Sequence, residues 1–262
     1  MTTKEMPRIE MIVAARQQYV QERRSLTPIE AVRALASLQR RPQPILTTIN
    51  QAIGEQTAVT LIGKMASHMG DLTTASDEAR RLAETGIDAV MVQTDMDIES
   101  PGLNWLVTVT NAVSIPIISR DIIVDEYQVV EARAAGASSL VLYASVLEPT
   151  LLRSLVSATQ RNRMTAIVDV NNRTQIEQAN TINPYVIALS QTDPLTGEQV
   201  DTSLRDMRTL IPSHIRVMLS DTLHSLEAVE TAVNLEVDAV IVDSNLLSDS
   251  YCLREIHTLL RR

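Results

Sequence analysis

The chain has 262 residues, 45% of them apolar and 21% charged, which fits one large soluble globular domain. Its net charge is −9, and no basic run exceeds two residues, as at Arg23-Arg24, Arg40-Arg41, Arg80-Arg81 and Arg261-Arg262, so nucleic acid and anionic membranes are not expected partners. The single cysteine, Cys252, excludes an internal disulfide, and the lack of a long apolar stretch or a signal-peptide core sets the expectation of a soluble, cytoplasmic protein.

Residues 1–50 carry two helical patterns, Ile9–Glu22 and Pro28–Leu38, and read as an N-terminal extension packed on a barrel formed by residues 51–262. From there β-branched runs alternate with helical patterns. Ala58–Ile62 precedes a helix at Ala75–Glu84, Ala89–Gln93 precedes Leu103–Ala112, and Ile115–Ser119 precedes Glu126–Ala135. Ser139–Tyr143 and Pro149–Asn162 follow, then Thr165–Val170 and Gln175–Ala179, then Val186–Leu189 and Thr202–Leu210. Arg216–Leu219 with Leu226–Leu235, and Ala239–Val242 with Ser250–Leu260, complete the series. Most runs are continuously apolar, as parallel strands covered on both faces require. Asp77, Ser225 and Asp249 read as cap or first-turn residues.

A weak repeat runs through the series. "TGIDAVMV" (85–92), "AGASSLVL" (135–142) and "LEVDAVIV" (235–242) each lead a helix end into a strand. Eight strand–helix units predict a closed (β/α)8 TIM barrel with a helical N-terminal extension. An open doubly wound sheet is the alternative, and no G-x-G-x-x-G supports it. There is no Phe, and only Trp105 and five Tyr residues, which argues against an aromatic-walled pocket. Trp105 reads as helix packing.

Barrel active sites gather at the C-terminal strand ends. The residues falling there are Lys64, Ser67 and His68, then Thr94 and Asp95, Arg120 and Asp121, and Asp169 and Asn171. Ser190, Gln191 and Asp193 follow, then Ser220 and Asp221, and finally Asp243, Ser244 and Asn245. The histidines 68, 214, 224 and 257 lack metal-ligand spacing, and Asp95, Asp97 and Glu99 read as a solvated loop, so no metal is expected.

The stretch "PIISRDIIVDEYQVVEARAAGASSLVL" (116–142) resembles the most recognisable segment of indole-3-glycerol phosphate synthases, P-[VI]-L-[RM]-K-D-F-[IV]-[IV]-D-x-Y-Q-[IV]-x-E-A-R-x-x-G-A-D-A-[IV]-L-L. Flanking segments keep the order: "AVTLIGKMAS" stands for a strand ending E-I-K-K-A-S-P-S, "AVMVQTD" for L-S-V-L-T-D, "TAIVDVNN" for L-V-E-V-H and "VDAVIVDSNLL" for A-D-A-V-L-V-G-E-S-L. The resemblance covers roughly residues 5–260. It implies the family's reaction, ring closure of a carboxyphenylamino-deoxyribulose phosphate with loss of carbon dioxide and water, in tryptophan biosynthesis. No metal or organic cofactor is implied.

Carried over residue by residue, the resemblance implies a changed site. Arg120 stands at the general-acid lysine, and arginine cannot release a proton near neutral pH. Asp169 stands at the general-base glutamate, one methylene shorter, and a carboxylate paired with Arg120 is the alternative reading. Lys64 and Ser67 keep their identities if Ile62 replaces the strand-one glutamate; otherwise Leu61 replaces it and Gly63 takes the lysine's place. Ser190 stands at a substrate-contacting Asn, and Gln191 beside it is a second substrate candidate. On the seventh strand, Asp221 or Ser220 stands for a glutamate. Ser244 and Asn245 open the phosphate turn, where Asp243 replaces Gly. Ile122 replaces the Phe of K-D-F.

Three readings follow. The leading one is a family barrel with lost or altered catalysis that binds a small-molecule ligand, with a protein partner or a second copy of the chain left open. The second is an active synthase using Lys64 as acid and Asp169 as base. The third is a different lyase or isomerase on the same barrel.

Overall fold

The computed structural model describes residues 8–45, 59–65, 72–94, 102–193 and 197–261. The extension forms α1 (Arg8–Leu26) and α2 (Ile29–Leu38). The barrel then runs β1 (Thr60–Lys64), α3 (Leu72–Glu84), β2 (Ala89–Gln93), α4 (Gly102–Ala112), β3 (Ile117–Arg120), α5 (Glu126–Ala134), β4 (Ser139–Tyr143) and α6 (Pro149–Arg161). It continues with β5 (Thr165–Val170), α7 (Arg173–Ile182), β6 (Val186–Leu189), α8 (Leu204–Thr209), β7 (Arg216–Leu223), α9 (Leu226–Val233), β8 (Ala239–Asp243), α10 (Ser244–Ser248) and α11 (Ser250–Leu260).

All eight strands are parallel and the sheet closes, with β1 hydrogen-bonded to both β2 and β8. Closure gives each strand an inner and an outer face, so one apolar run fills two cores. Ile62, Met91, Ile118, Val141, Ile167, Met218 and Ile241 fill the barrel interior, joined by Ile45 from the segment after α2. Leu61, Val90, Val92, Leu140, Leu142, Val168 and Val240 face the helices. Branched aliphatics and Met pack both layers, so the absence of Phe leaves no gap that an aromatic must fill.

The three-fold repeat has a physical cause. Its second position is left-handed each time: Gly86 at φ 78°, Gly136 at 94° and Glu236 at 54°. These are the residues that end a helix by turning back toward the sheet. Its fourth position accepts a backbone N–H from the start of the preceding strand. Asp88 takes Leu61 N at 2.8 Å, Ser138 takes Ile117 N at 3.3 Å and Asp238 takes Val217 N at 2.7 Å.

Several boundaries depart from the sequence expectations. β3 starts at Ile117, because Pro116 has no N–H to offer a ladder. α3 begins at Leu72, so Asp77 sits inside the helix and pairs with Arg80 at 3.0 Å, and it caps nothing. Ser225 and Asp249 do cap, accepting from Ala228 N and from Tyr251 and Cys252 N. α7 runs from Arg173 to Ile182, capped by Asn172 on Gln175 N and ended by left-handed Asn183. The sequence reading contained no α10. Trp105 packs in the outer core, 7% exposed.

The extension is seamed to the barrel through the most recognisable segment. Asp125 and Gln128 form a capping box that opens α5. Tyr127 Oη donates to the carbonyls of Arg23 and Thr27, Glu131 accepts from Arg23 Nη2 at 2.7 Å, and Arg133 Nη2 donates to the carbonyls of Gln39 and Arg40. Three of the motif's polar side chains therefore hold α1 and α2 in place. Asp121 also turns outward, accepting from Ile122 N and pairing with Arg16 of α1 at 3.4 Å.

A candidate active site at the barrel mouth

Strand parity decides which side chains reach the mouth. Ile62 and Lys64 share the inner face of β1, whereas Leu61 lies in the outer core and a Cβ on Gly63 would press against Ile87 and Leu247. A glutamate and a lysine two residues apart need one face. Of the two alignments the resemblance leaves open, the one with Ile62 and Lys64 puts that pair on the barrel's inner face.

At the C-terminal strand ends a cavity of about 460 Å³ is lined by Lys64, Gln93, Arg120, Tyr143, Gln191 and Asp221, among others. That volume lies within the roughly 300–1,000 Å³ of small-molecule sites. Arg120, the last residue of β3, spans the floor: Nε donates to Tyr143 Oη at 2.8 Å and Nη1 to the Ser220 carbonyl at 3.3 Å. Its charge is fixed at every physiological pH.

Asp169 lies below it on β5, 3% exposed, and accepts a short hydrogen bond from Ser220 Oγ. Burial pushes its carboxyl up to about 6, with the Arg120 charge and the Ser220 bond opposing and the Asp221 and Asp193 charges reinforcing. Such a group can accept or hold a proton near neutrality. Arg120 and Asp169 are thus coupled through space, while the carboxylate's hydrogen bond comes from Ser220.

The seventh strand carries the other pair of candidates, Ser220 and Asp221. Met218 pairs with Ala239 but Thr222 with Ile241, so β7 bulges between them. The bulge lets consecutive residues serve different ends, as bulges beside active sites do. Ser220 meets Asp169, whereas Asp221 accepts from Gln191 N at 2.6 Å and Ser190 Oγ at 3.4 Å. Ser190 is 1% exposed and also donates to the Thr192 carbonyl, and Gln191 Nε2 donates to the Thr202 carbonyl. Both sequence candidates on this loop serve its own architecture, although Gln191 still lines the cavity.

The turn after β8 is closed by its own side chain. Asp243 caps α10, its Oδ1 accepting from Asn245 N at 2.9 Å and from Asn245 Nδ2 at 2.8 Å, while His224 Nδ1 lies 3.8 Å from Oδ2. The N-terminus of α10 is thus met by the chain's own carboxylate. Ser244 and Asn245 line a separate groove of about 600 Å³ between α3 and α10. Neither is among the residues lining the mouth cavity.

Ser67, His68, Asp95, Asp97 and Glu99 lie outside the described residues. His214 bonds Asn183 and His257 bonds the Thr85 carbonyl, both in structural roles. Gln93 and Tyr143 were missed by the sequence reading. Each ends its strand, so the strand-end rule applied one residue earlier would have found them.

Comparison with known proteins is consistent over nearly the whole chain. A family model described as indole-3-glycerol phosphate synthase matches residues 9–259. Proteins named indole-3-glycerol phosphate synthase from Burkholderia vietnamiensis and Burkholderia multivorans are 26% identical over 238 residues, covering 89% of this chain and 91% of theirs. Among solved structures, 3-hexulose-6-phosphate synthase from Salmonella typhimurium matches with TM-score 0.64 and 16% identity, over 77% of this chain and 98% of that one. Tryptophan synthase from Mycobacterium tuberculosis matches with TM-score 0.62 and 16% identity, over 84% of this chain and 99% of that one. These structural likenesses speak for the barrel alone.

Proposed function

The chain belongs to the indole-3-glycerol phosphate synthase family, and from that premise we propose that its mouth binds a small polar ligand without performing the family's ring closure. One observation carries the reading: Arg120, which the resemblance sets at the general-acid position, is a guanidinium bonded to Tyr143 Oη and the Ser220 carbonyl. It can hold an anion or stabilise developing negative charge, but it has no proton to give at physiological pH. Ile62 puts an aliphatic group where the strand-one carboxylate belongs, and Asp243 fills the helix end that would take a phosphate. Lys64 and Arg120 supply the cationic side of the cavity, and Gln93, Gln191 and Asp221 its hydrogen-bonding side.

A second reading has its own support. Asp169, buried beside Ser220 and near Arg120 with its carboxyl at about 6, is suited to accept a proton from a bound substrate, as a lyase or isomerase of another specificity requires.

The test is turnover of the carboxyphenylamino-deoxyribulose phosphate, followed by the fluorescence of the indole product, with the ligand's binding measured separately. The expected result is no product above background from folded protein. Turnover at about 1 s⁻¹ or faster, the ordinary enzymatic range, would overturn the proposal and would favour Lys64 as acid with Asp169 as base.

A further inference from the structure

Away from the mouth, α2 of the extension meets α5 and the turn between α6 and β5. The cleft between them, about 560 Å³, is lined by Arg33, Arg41, Arg133, Arg161 and Arg163. Glu126 is the one acid among the described residues lining it, so the local balance of five positive charges and one negative is +4, on a chain whose net charge is −9. Glu126 is shared between Arg33 and Arg161, at 3.5 Å each. Arg41 and Arg163 make no ion pair or side-chain hydrogen bond with any described residue.

Arg133 forms the back of the cleft. It is 7% exposed; Nη2 donates to the carbonyls of Gln39 at 3.2 Å and Arg40 at 2.8 Å, and Nη1 is buried with no partner among the described residues. Burial and the neighbouring Arg163 charge both disfavour its protonated form. Five like charges held together, one of them buried, repel one another, and a bound anion would relieve that repulsion. Guanidinium forks match phosphate oxygens two at a time, and the cleft's volume suits a small molecule.

We propose that this cleft binds a small polyanion carrying two or more phosphate groups. Such a ligand bridges Arg33 and Arg41 of the extension to Arg133, Arg161 and Arg163 of the barrel, and so locks the extension down. The site is independent of the mouth and of whatever chemistry the mouth performs.

The test is calorimetric titration of the full chain with pyrophosphate at about 50 mM salt, where screening is modest, beside parallel titrations with inorganic phosphate and citrate. Pyrophosphate is expected to bind once per chain, more tightly than either, and to raise the melting temperature. The double variant Arg41→Gln, Arg163→Gln, in which both changed side chains are exposed, is expected to weaken binding at least about tenfold and abolish the thermal shift. Arg254→Gln, on the opposite side of the helix ring, should change neither. Absence of pyrophosphate binding, equal binding by the double variant, or tighter binding of citrate would each overturn the proposal.

Discussion

Asp169 is the residue whose chemistry depends most on its surroundings. Unfolded, its carboxyl titrates near 3.8; folded, burial moves it to about 6. The folded state therefore binds the proton more tightly, and the stabilisation from this group, present in full below pH 3.8, is lost as pH rises through about 6. The gap corresponds to roughly 3 kcal/mol at neutral pH, as an upper figure. Asp169→Asn keeps the shape and removes the charge, so its stability relative to the parent is expected to climb between pH 5 and 7. Urea denaturation at several pH values reads this directly; a pH-independent difference would mean that Asp169 is not the titrating group. Two neighbouring substitutions concern catalysis. Arg120→Lys with Asp169→Glu is expected to yield no synthase turnover unless Asp243→Gly is added, because the helix end stays occupied by Asp243. Activity from the first two changes alone would show that this carboxylate does not block phosphate.

At the scale of elements, the helix-to-strand repeat makes opposite predictions at equivalent positions. Gly136 sits at φ 94°, and a Cβ there would collide with Thr110 Cγ2 of α4. Gly136→Ala is therefore expected to cost about 2–4 kcal/mol, from backbone strain and overpacking together. Glu236 holds the same left-handed turn at φ 54° with a side chain attached. Glu236→Gly should stabilise the protein by up to about 1 kcal/mol, since the folded strain it relieves outweighs the entropy glycine adds to the unfolded chain. Denaturant midpoints for the two variants should move in opposite directions. Movement in the same direction would mean that the turn's handedness is not what the repeat preserves.

On the scale of the whole molecule, the extension is held by a partly buried ion pair and the carbonyl bonds around it. Glu131 is 5% exposed and its acidity depends on Arg23: burial raises its pKa, and Arg23 lowers it. Arg23→Ala leaves that carboxylate buried without its cation. The expected loss is about 1–3 kcal/mol, below the figure for a fully buried pair because the arginine itself reaches solvent. The loss should be larger at pH 8 than at pH 5. Without Arg23 the folded carboxyl takes up its proton more readily than the unfolded one, so stability falls as pH rises. Thermal melts of the variant and the parent across that range test it.

Much of the architecture was legible from the chain alone. Continuous apolar runs bury both faces of a parallel strand, so the eight strands, their order and the barrel follow from local pattern, and four strands match their expected limits at both ends. The family could be read from the 116–142 segment, whose Tyr127, Glu131 and Arg133 hold the extension. What pattern could not supply was the direction of individual side chains. Asp243 is an N-cap by residue type, but α10 spans only five residues and holds only two leucines, too few for a helical period to register. The bulge that separates Ser220 from Asp221 leaves no mark on composition. No basic run in the sequence is longer than two residues, yet closure of the barrel and docking of the extension gather five arginines into one cleft. Hydrophobic spacing is a local property, set within a few residues of each position. Which charges meet depends on chain paths that return from far away, and only the folded chain decides that.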